Sequence, residues 1–133
     1  FYILCFLSSI ITNAMPLKTH EASESGINQD KIFLARMVAH YEYGVKLASL
    51  GLSNAQTSEI RRGAEQILKA QTLELKALKK LKRDFVKRKL STPGPVDHTT
   101  DLKKLKGKDF DESFCLRMSM HFEDGKTFIE KAL

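Results

Sequence analysis

Two short stretches of this sequence bring soft-metal donors to one face of a helix. Met37-x-x-His40 and Met118-x-x-His121 each set a thioether and an imidazole three residues apart, and side chains at that spacing are neighbours on a helix surface. Each pair could present both donors to one soft ion such as Cu(I) or Ag(I). Met120 and Cys115 add sulfur nearby. Methionine is also ordinary core filler, and two buried histidines can be satisfied by hydrogen bonds with no ion present. From the residues alone, a soft-metal site and a metal-free polar core network both stand open.

The two stretches belong to an internal repeat. Asp30-x-x-Phe33-x-x-Arg36-Met37-x-x-His40-x-Glu42-x-Gly44 returns eighty-one residues later as Asp111-x-x-Phe114-x-x-Arg117-Met118-x-x-His121-x-Glu123-x-Gly125, with seven identities in fifteen positions. A duplicated element of this kind cannot bury its apolar face alone, so the two copies are expected to pack about a pseudo-twofold arrangement. Phe33, Met37, His40, Gly44 and Leu47 step by alternating fours and threes, and so do Phe114, Met118, His121, Gly125 and Phe128. That is the seam a helix turns toward its partners in a bundle. Each histidine falls in the buried stripe, and the glycine one turn beyond it leaves space there.

The elements that must position these residues are helical. One helix is expected from about Gln29 to Leu50, stopped by Gly51. Ser53 would cap a second, with Gln56 completing a capping box. This second helix would continue to about Leu90 and be considerably longer than the first. Its seam, Ile60, Ala64, Ile67, Gln71, Glu74, Leu78, Leu81 and Phe85, is apolar except at Gln71 and Glu74. Buried polar groups need partners, so these two are expected beside His40 and His121. Glu74 could serve as a harder ligand or orient an imidazole. Residues 91–99, with Thr-Pro-Gly-Pro at Thr92 to Pro95, read as a linker. A short helix near Thr100 to Leu105 would end at Gly107. Asp109 would cap a last helix, with Glu112 at its capping-box position.

Taken together, the repeat and the middle block Gln71-x-x-Glu74, followed by Gly107-x-x-Phe110-Asp111-x-x-Phe114 and Met118-x-x-His121, resemble the bacterial domain-of-unknown-function 305 family from about Asp30 onward. The resemblance implies an all-α, ferritin-like antiparallel helical bundle in exported bacterial proteins, some of them linked to copper or silver handling. Where that family has His-His, this chain has His40-Tyr41 and His121-Phe122. A di-iron centre is not expected, because the Glu-x-x-His pairs it needs are absent.

Charge and composition narrow the function further. The chain has 133 residues, 42% of them apolar, which is one domain's worth. Its net charge of +6 is local: the stretch from Lys76 to Leu90 holds eight basic residues and one acid, leaving the remainder at −1. Within it, Lys79, Lys80, Arg83, Lys87 and Arg88 form either a solvated face or a contact for an anionic envelope surface or acidic protein. Nucleic acid is not expected, since no binding motif frames the charge. Phe1 to Ile11 is an uncharged apolar run followed by Thr12-Asn13-Ala14, which reads as a signal peptide over residues 1–14 that directs export to the periplasm or outside the cell. Residues 15–28 read as a flexible lead-in, and residues 29–133 as the bundle domain. After cleavage Cys115 is the remaining thiol, read as a small buried hydrophobe. Asp30 and Asp111 are expected to favour the N-terminal dipoles of their own helices. No nucleophile elbow, phosphate loop or close acid pair is present, so an enzyme is not expected. An unpaired apolar side on the second helix would favour a homodimer.

Overall fold

The computed structural model describes residues 24–85 and 98–132. The expected signal peptide, most of the linker, and Lys87 and Arg88 lie outside them. Three α-helices carry the architecture: α1 (Glu24–Asn54), α2 (Ser58–Phe85) and α3 (Gly107–Glu130), with a single 3₁₀ turn at Leu102–Lys104 ahead of α3. No strand occurs among the described residues. The protein is an all-α bundle in which α1 packs on both α2 and α3, most extensively on α2.

The helix boundaries correct several expectations. α1 begins at Glu24, inside the stretch read as a lead-in, because a packed helix propagates into polar residues that lack an apolar period of their own. It then runs through Gly51 to Asn54, making it 31 residues long against 28 for α2. Residues 86–90, through which the second helix was expected to run, lie outside the described residues. Gly51 does not stop the helix; among the described residues Gly107 is the glycine with positive φ, at 58°. A Cβ on Gly51 would lie 2.4 Å from the Phe114 ring and 2.9 Å from Ala64 Cβ, so this glycine serves a close approach of three helices instead of a left-handed turn.

Ser53 is likewise not a cap. Its hydroxyl donates to the Ser49 carbonyl one turn back, within α1. The N-terminus of α2 is closed from α3, where the Asp111 carboxylate accepts the Gln56 and Thr57 amide N–H groups at 2.9 and 3.0 Å. Capping-box logic failed because the acceptor comes from fifty-four residues away. At α3 itself the residue before the helix is Lys106, with no side-chain cap. Asp109 stands in the first turn, and Glu112 pairs with Lys108 at 3.3 Å.

An apolar core forms where the end of α1, the start of α2 and the start of α3 meet. Leu47, Ala48, Ala55, Ala64, Leu102, Phe110, Phe114 and Met118 make one buried cluster. Phe110 and Phe114 stack within it, 6.1 Å apart and nearly parallel. The seam inferred from the four-three spacing is the buried one in α1 and α3. In α2 Ala64 is buried, Ile60, Ile67 and Leu78 are half covered, and Leu81 is exposed. Beyond the apolar cluster, the three helices bring their polar residues together.

Candidate functional site: a stacked histidine pair

His40 from α1 and His121 from α3 stack face to face, ring centroids 3.9 Å apart and planes 14° from parallel. The repeat explains how two helices come close enough for this. A Cβ on Gly44 would lie 2.3 Å from His121 Nε2 and 2.0 Å from Gln71 Oε1, and one on Gly125 would lie 2.7 Å from His40 Nε2. Each glycine, one turn beyond the histidine of its own helix, makes room for the histidine of the other. The arrangement is reciprocal, as a pseudo-twofold requires. Phe128 meets the edge of His40 at 5.6 Å, and Tyr43 and Phe122 flank His121 at 5.8 and 5.6 Å.

α2 contributes Gln71, itself buried, whose side-chain nitrogen lies 3.0 Å from His121 Nε2. If Gln71 donates, the neutral imidazole carries its proton on Nδ1; if the amide is turned over, His121 Nε2–H donates to the amide oxygen and Nδ1 holds a lone pair. The His121 Nδ1 atom is buried without a hydrogen-bond partner, as is Gln71 Oε1. Burial, reinforced by the nearby His40, pushes the His121 pKa down to about 3. Burial also lowers that of His40, with Asp124 working weakly against it. Both rings are neutral at pH 7.

Gln71 and Glu74 do not share a partner. Glu74 pairs with the Tyr41 hydroxyl; burial raises the Glu74 pKa while the bond from Tyr41 opposes the rise. The Tyr41 hydroxyl is held above its ordinary range by burial and by the same carboxylate. Tyr41, a residue the spacing argument did not select, stands at the second position of the His-His pattern seen in the resembled family. Its signal was available: it follows His40 directly and lies on the stripe that meets α2.

The sulfur donors divide. Met37 and Met118 are each 4% exposed, and Met118 belongs to the apolar cluster. Met120 and Cys115 face outward, so the expectation of a buried Cys115 is overturned. Its counterpart in the repeat, Leu34, is buried, whereas no described element covers the corresponding stripe of α3. Among the described residues no group of three or more His, Cys, Asp or Glu is disposed to hold a metal ion. A soft site would therefore draw on methionine and imidazole.

Asp111 is a second residue whose role the sequence argument misplaced. It is buried and serves α2, not the dipole of its own helix. Burial acts to raise its pKa, but the Gln56 and Thr57 amides, the Thr57 hydroxyl and Arg61 hold it below the usual carboxylate value. Its repeat counterpart Asp30 is exposed in α1. Of the basic residues, Lys79 makes an ion pair with Glu42 at 2.7 Å, while Lys80 and Arg83 are exposed.

Fold and site together define an all-α bundle organised around a buried imidazole pair. The chain belongs to the family described as Domain of unknown function (DUF305), whose model matches residues 13–82, just over half of the chain. That match spans the first copy of the repeated motif and most of α2; the second copy lies beyond it. No curated protein and no solved structure matches the chain.

Proposed function

We propose that this is an exported, non-enzymatic binding protein that takes up a soft monovalent ion, Cu(I) or Ag(I), with Met37, His40, Met118 and His121 as its ligands. The observation that carries this reading is the buried, neutral His121, fixed through Nε2 by Gln71 and with no protein partner at Nδ1. An imidazole that is unprotonated at neutral pH is ready to act as a ligand. With thioethers as the remaining donors, the set is uncharged and soft, which suits a monovalent d¹⁰ ion better than a hard divalent one. Gln71 would hold the ring in position, as supporting groups around metal ligands do. When bound, the ion would bring sequestration and no redox step of the protein's own. Export rests on the apolar run Phe1 to Ile11 followed by Thr12-Asn13-Ala14, and no described helix is long and apolar enough to cross a membrane. The exposed Lys80 and Arg83 would face an anionic envelope surface or an acidic protein.

A second reading is favoured by the stacking of the rings, which does not converge two in-plane lone pairs on one point. Under it, the cluster is a metal-free polar network that specifies how α1, α2 and α3 pack. Anaerobic competition with a Cu(I) chelator, and thermal unfolding with Ag(I), separate the two, because an ion that binds only the folded state must raise its stability. The metal reading expects binding in the parent and its loss in the His40→Ala, His121→Ala double variant. Met37→Leu with Met118→Leu, which conserves volume, should keep the fold and weaken binding at least tenfold. If the parent neither competes for Cu(I) nor gains thermal stability from Ag(I), the metal reading is wrong and the packing role stands.

A further inference from the structure

The repeat makes the outer face of α3 conspicuous. On α1 the stripe Leu34, Val38, Tyr41 is buried, with Ala35 beside it, and this side meets α2 through Tyr41 to Glu74 and Glu42 to Lys79. Eighty-one residues on, the matching positions are Cys115, Ser119, Phe122 and Leu116. Leu116 is 63% exposed, Met120 one turn later is 58% exposed, and Cys115 and Ser119 are exposed with them. α3 therefore presents uncovered the face that its twin buries under a helix.

The outer face of α2 carries a second exposed apolar stripe. Leu73 is 63% and Leu81 46% exposed, with exposed Ala77 between them and Lys69, Lys76 and Lys80 alongside. The two stripes have opposite frames. Glu123 and Glu112, the latter paired with Lys108, flank Leu116 and Met120 on α3, whereas Lys69, Lys76 and Lys80 outnumber Asp84 around Leu73 and Leu81 on α2. Pairing α3 with α3 of another copy would set carboxylates against carboxylates, and α2 with α2 would set lysines against lysines. Only the mixed pairing joins opposite charges along an apolar seam.

We propose that the α3 face bearing Leu116 and Met120 docks on the α2 face bearing Leu73 and Leu81 of a second copy of this chain. In a two-fold dimer the contact is made twice, once in each direction, and closes without leaving a free patch for further growth. The partner's α2 supplies what a helix of the same kind supplies to α1 within each copy. The inference is independent of whether the histidine cluster binds an ion.

Light scattering and sedimentation of the purified protein across a micromolar concentration series test it. The parent should weigh about twice its 15.1 kDa chain mass. Leu116→Glu with Met120→Glu, and separately Leu73→Glu with Leu81→Glu, should each give monomers of unchanged helical circular dichroism, since all four side chains are already exposed. Charge reversal supplies a readout that misfolding could not mimic. Glu123→Lys and Lys80→Glu variants should each dimerise at least tenfold more weakly than the parent, and mixing the two should restore a mixed dimer. A parent that stays monomeric throughout, or a dimer indifferent to both double variants, overturns the proposal.

Discussion

Lowering the pH from 7 should destabilise this protein through His121. The ring is 2% exposed, and burial together with His40 holds its pKa at about 3 against an ordinary 6.5. Below pH 6.5 the unfolded chain takes up a proton that the folded chain refuses, so stability falls as pH falls, until the folded site protonates near pH 3. At 1.36 kcal/mol per unit, integrating between those two values gives a loss of about 2 kcal/mol by pH 5 and about 3 kcal/mol by pH 4. The groups around the pair do not reverse the sign. Gln71 from α2 carries no charge, Asp124 opposes the effect of burial on His40 without overcoming it, and His40 shifts in the same direction as His121. Glu74, whose pKa is raised, works the opposite way over a window that starts at 4.5 and runs upward. Urea denaturation of the parent and of His121→Gln at pH 7, 5 and 4 removes that background, because the variant keeps Glu74 and loses only the titrating ring. The stability difference between the two proteins should shrink by about 2 kcal/mol from pH 7 to pH 5. A difference that stays constant to within about 0.5 kcal/mol down to pH 4 would refute the claim that His121 is desolvated in the fold.

The glycines supply a paired test. Gly44→Ala drives a methyl into Gln71 and His121 and should cost roughly 1–3 kcal/mol, whereas Gly63→Ala, with nothing within 4 Å of its Cβ, should gain about 0.4–1 kcal/mol; melting temperatures that move in the same direction for both would contradict the geometry. Asp111→Asn should lower the melting temperature at pH 7 and speed hydrogen exchange at the Gln56 and Thr57 amides, since a carboxylate that accepts both N–H groups is lost. Because the folded Asp111 has its pKa lowered below 3.8, its contribution is present above that value and is lost as pH falls through the folded pKa. The parent and Asp111→Asn should therefore converge only as the pH falls below 3.8.

The bundle and its inner face were legible in the sequence because burial leaves a period. Phe33, Met37, His40, Gly44 and Leu47 needed only the four-three step to be placed on one side of α1, and the repeat placed their counterparts in α3. The meeting of His121 with Gln71 also followed, since a polar residue in an apolar seam must find a partner. What stayed hidden was long-range and pairwise. Gly51 has the local signature of a helix stop, yet the Phe114 ring is what requires it to be glycine. Ser53 and Gln56 spell a capping box, yet the capping oxygens belong to Asp111 on another helix. Cys115 lies beside a core position, and its exposure depends on which neighbour covers that side of α3. Local pattern reports that a group will be buried or bonded; it does not name a partner fifty residues away.

The histidine cluster joins the stability and the proposed binding of this protein through a single property. The burial that makes His121 costly in acid is also what keeps the ring unprotonated well below neutral pH and leaves the imidazole able to act as a ligand. A ligand at 100 times its Kd stabilises the folded state by about 2.7 kcal/mol, comparable to the acid penalty of about 2 kcal/mol at pH 5. An ion bound at Nδ1 would compete with a proton for the same ring, so binding should weaken as pH falls through the range in which the ring protonates. Because the folded pKa is about 3, that competition begins well below the pH at which an exposed histidine would lose its ligand. Reciprocal glycines, stacked rings and a buried glutamine thus keep an imidazole neutral across mildly acidic pH, where a surface histidine would already carry its proton.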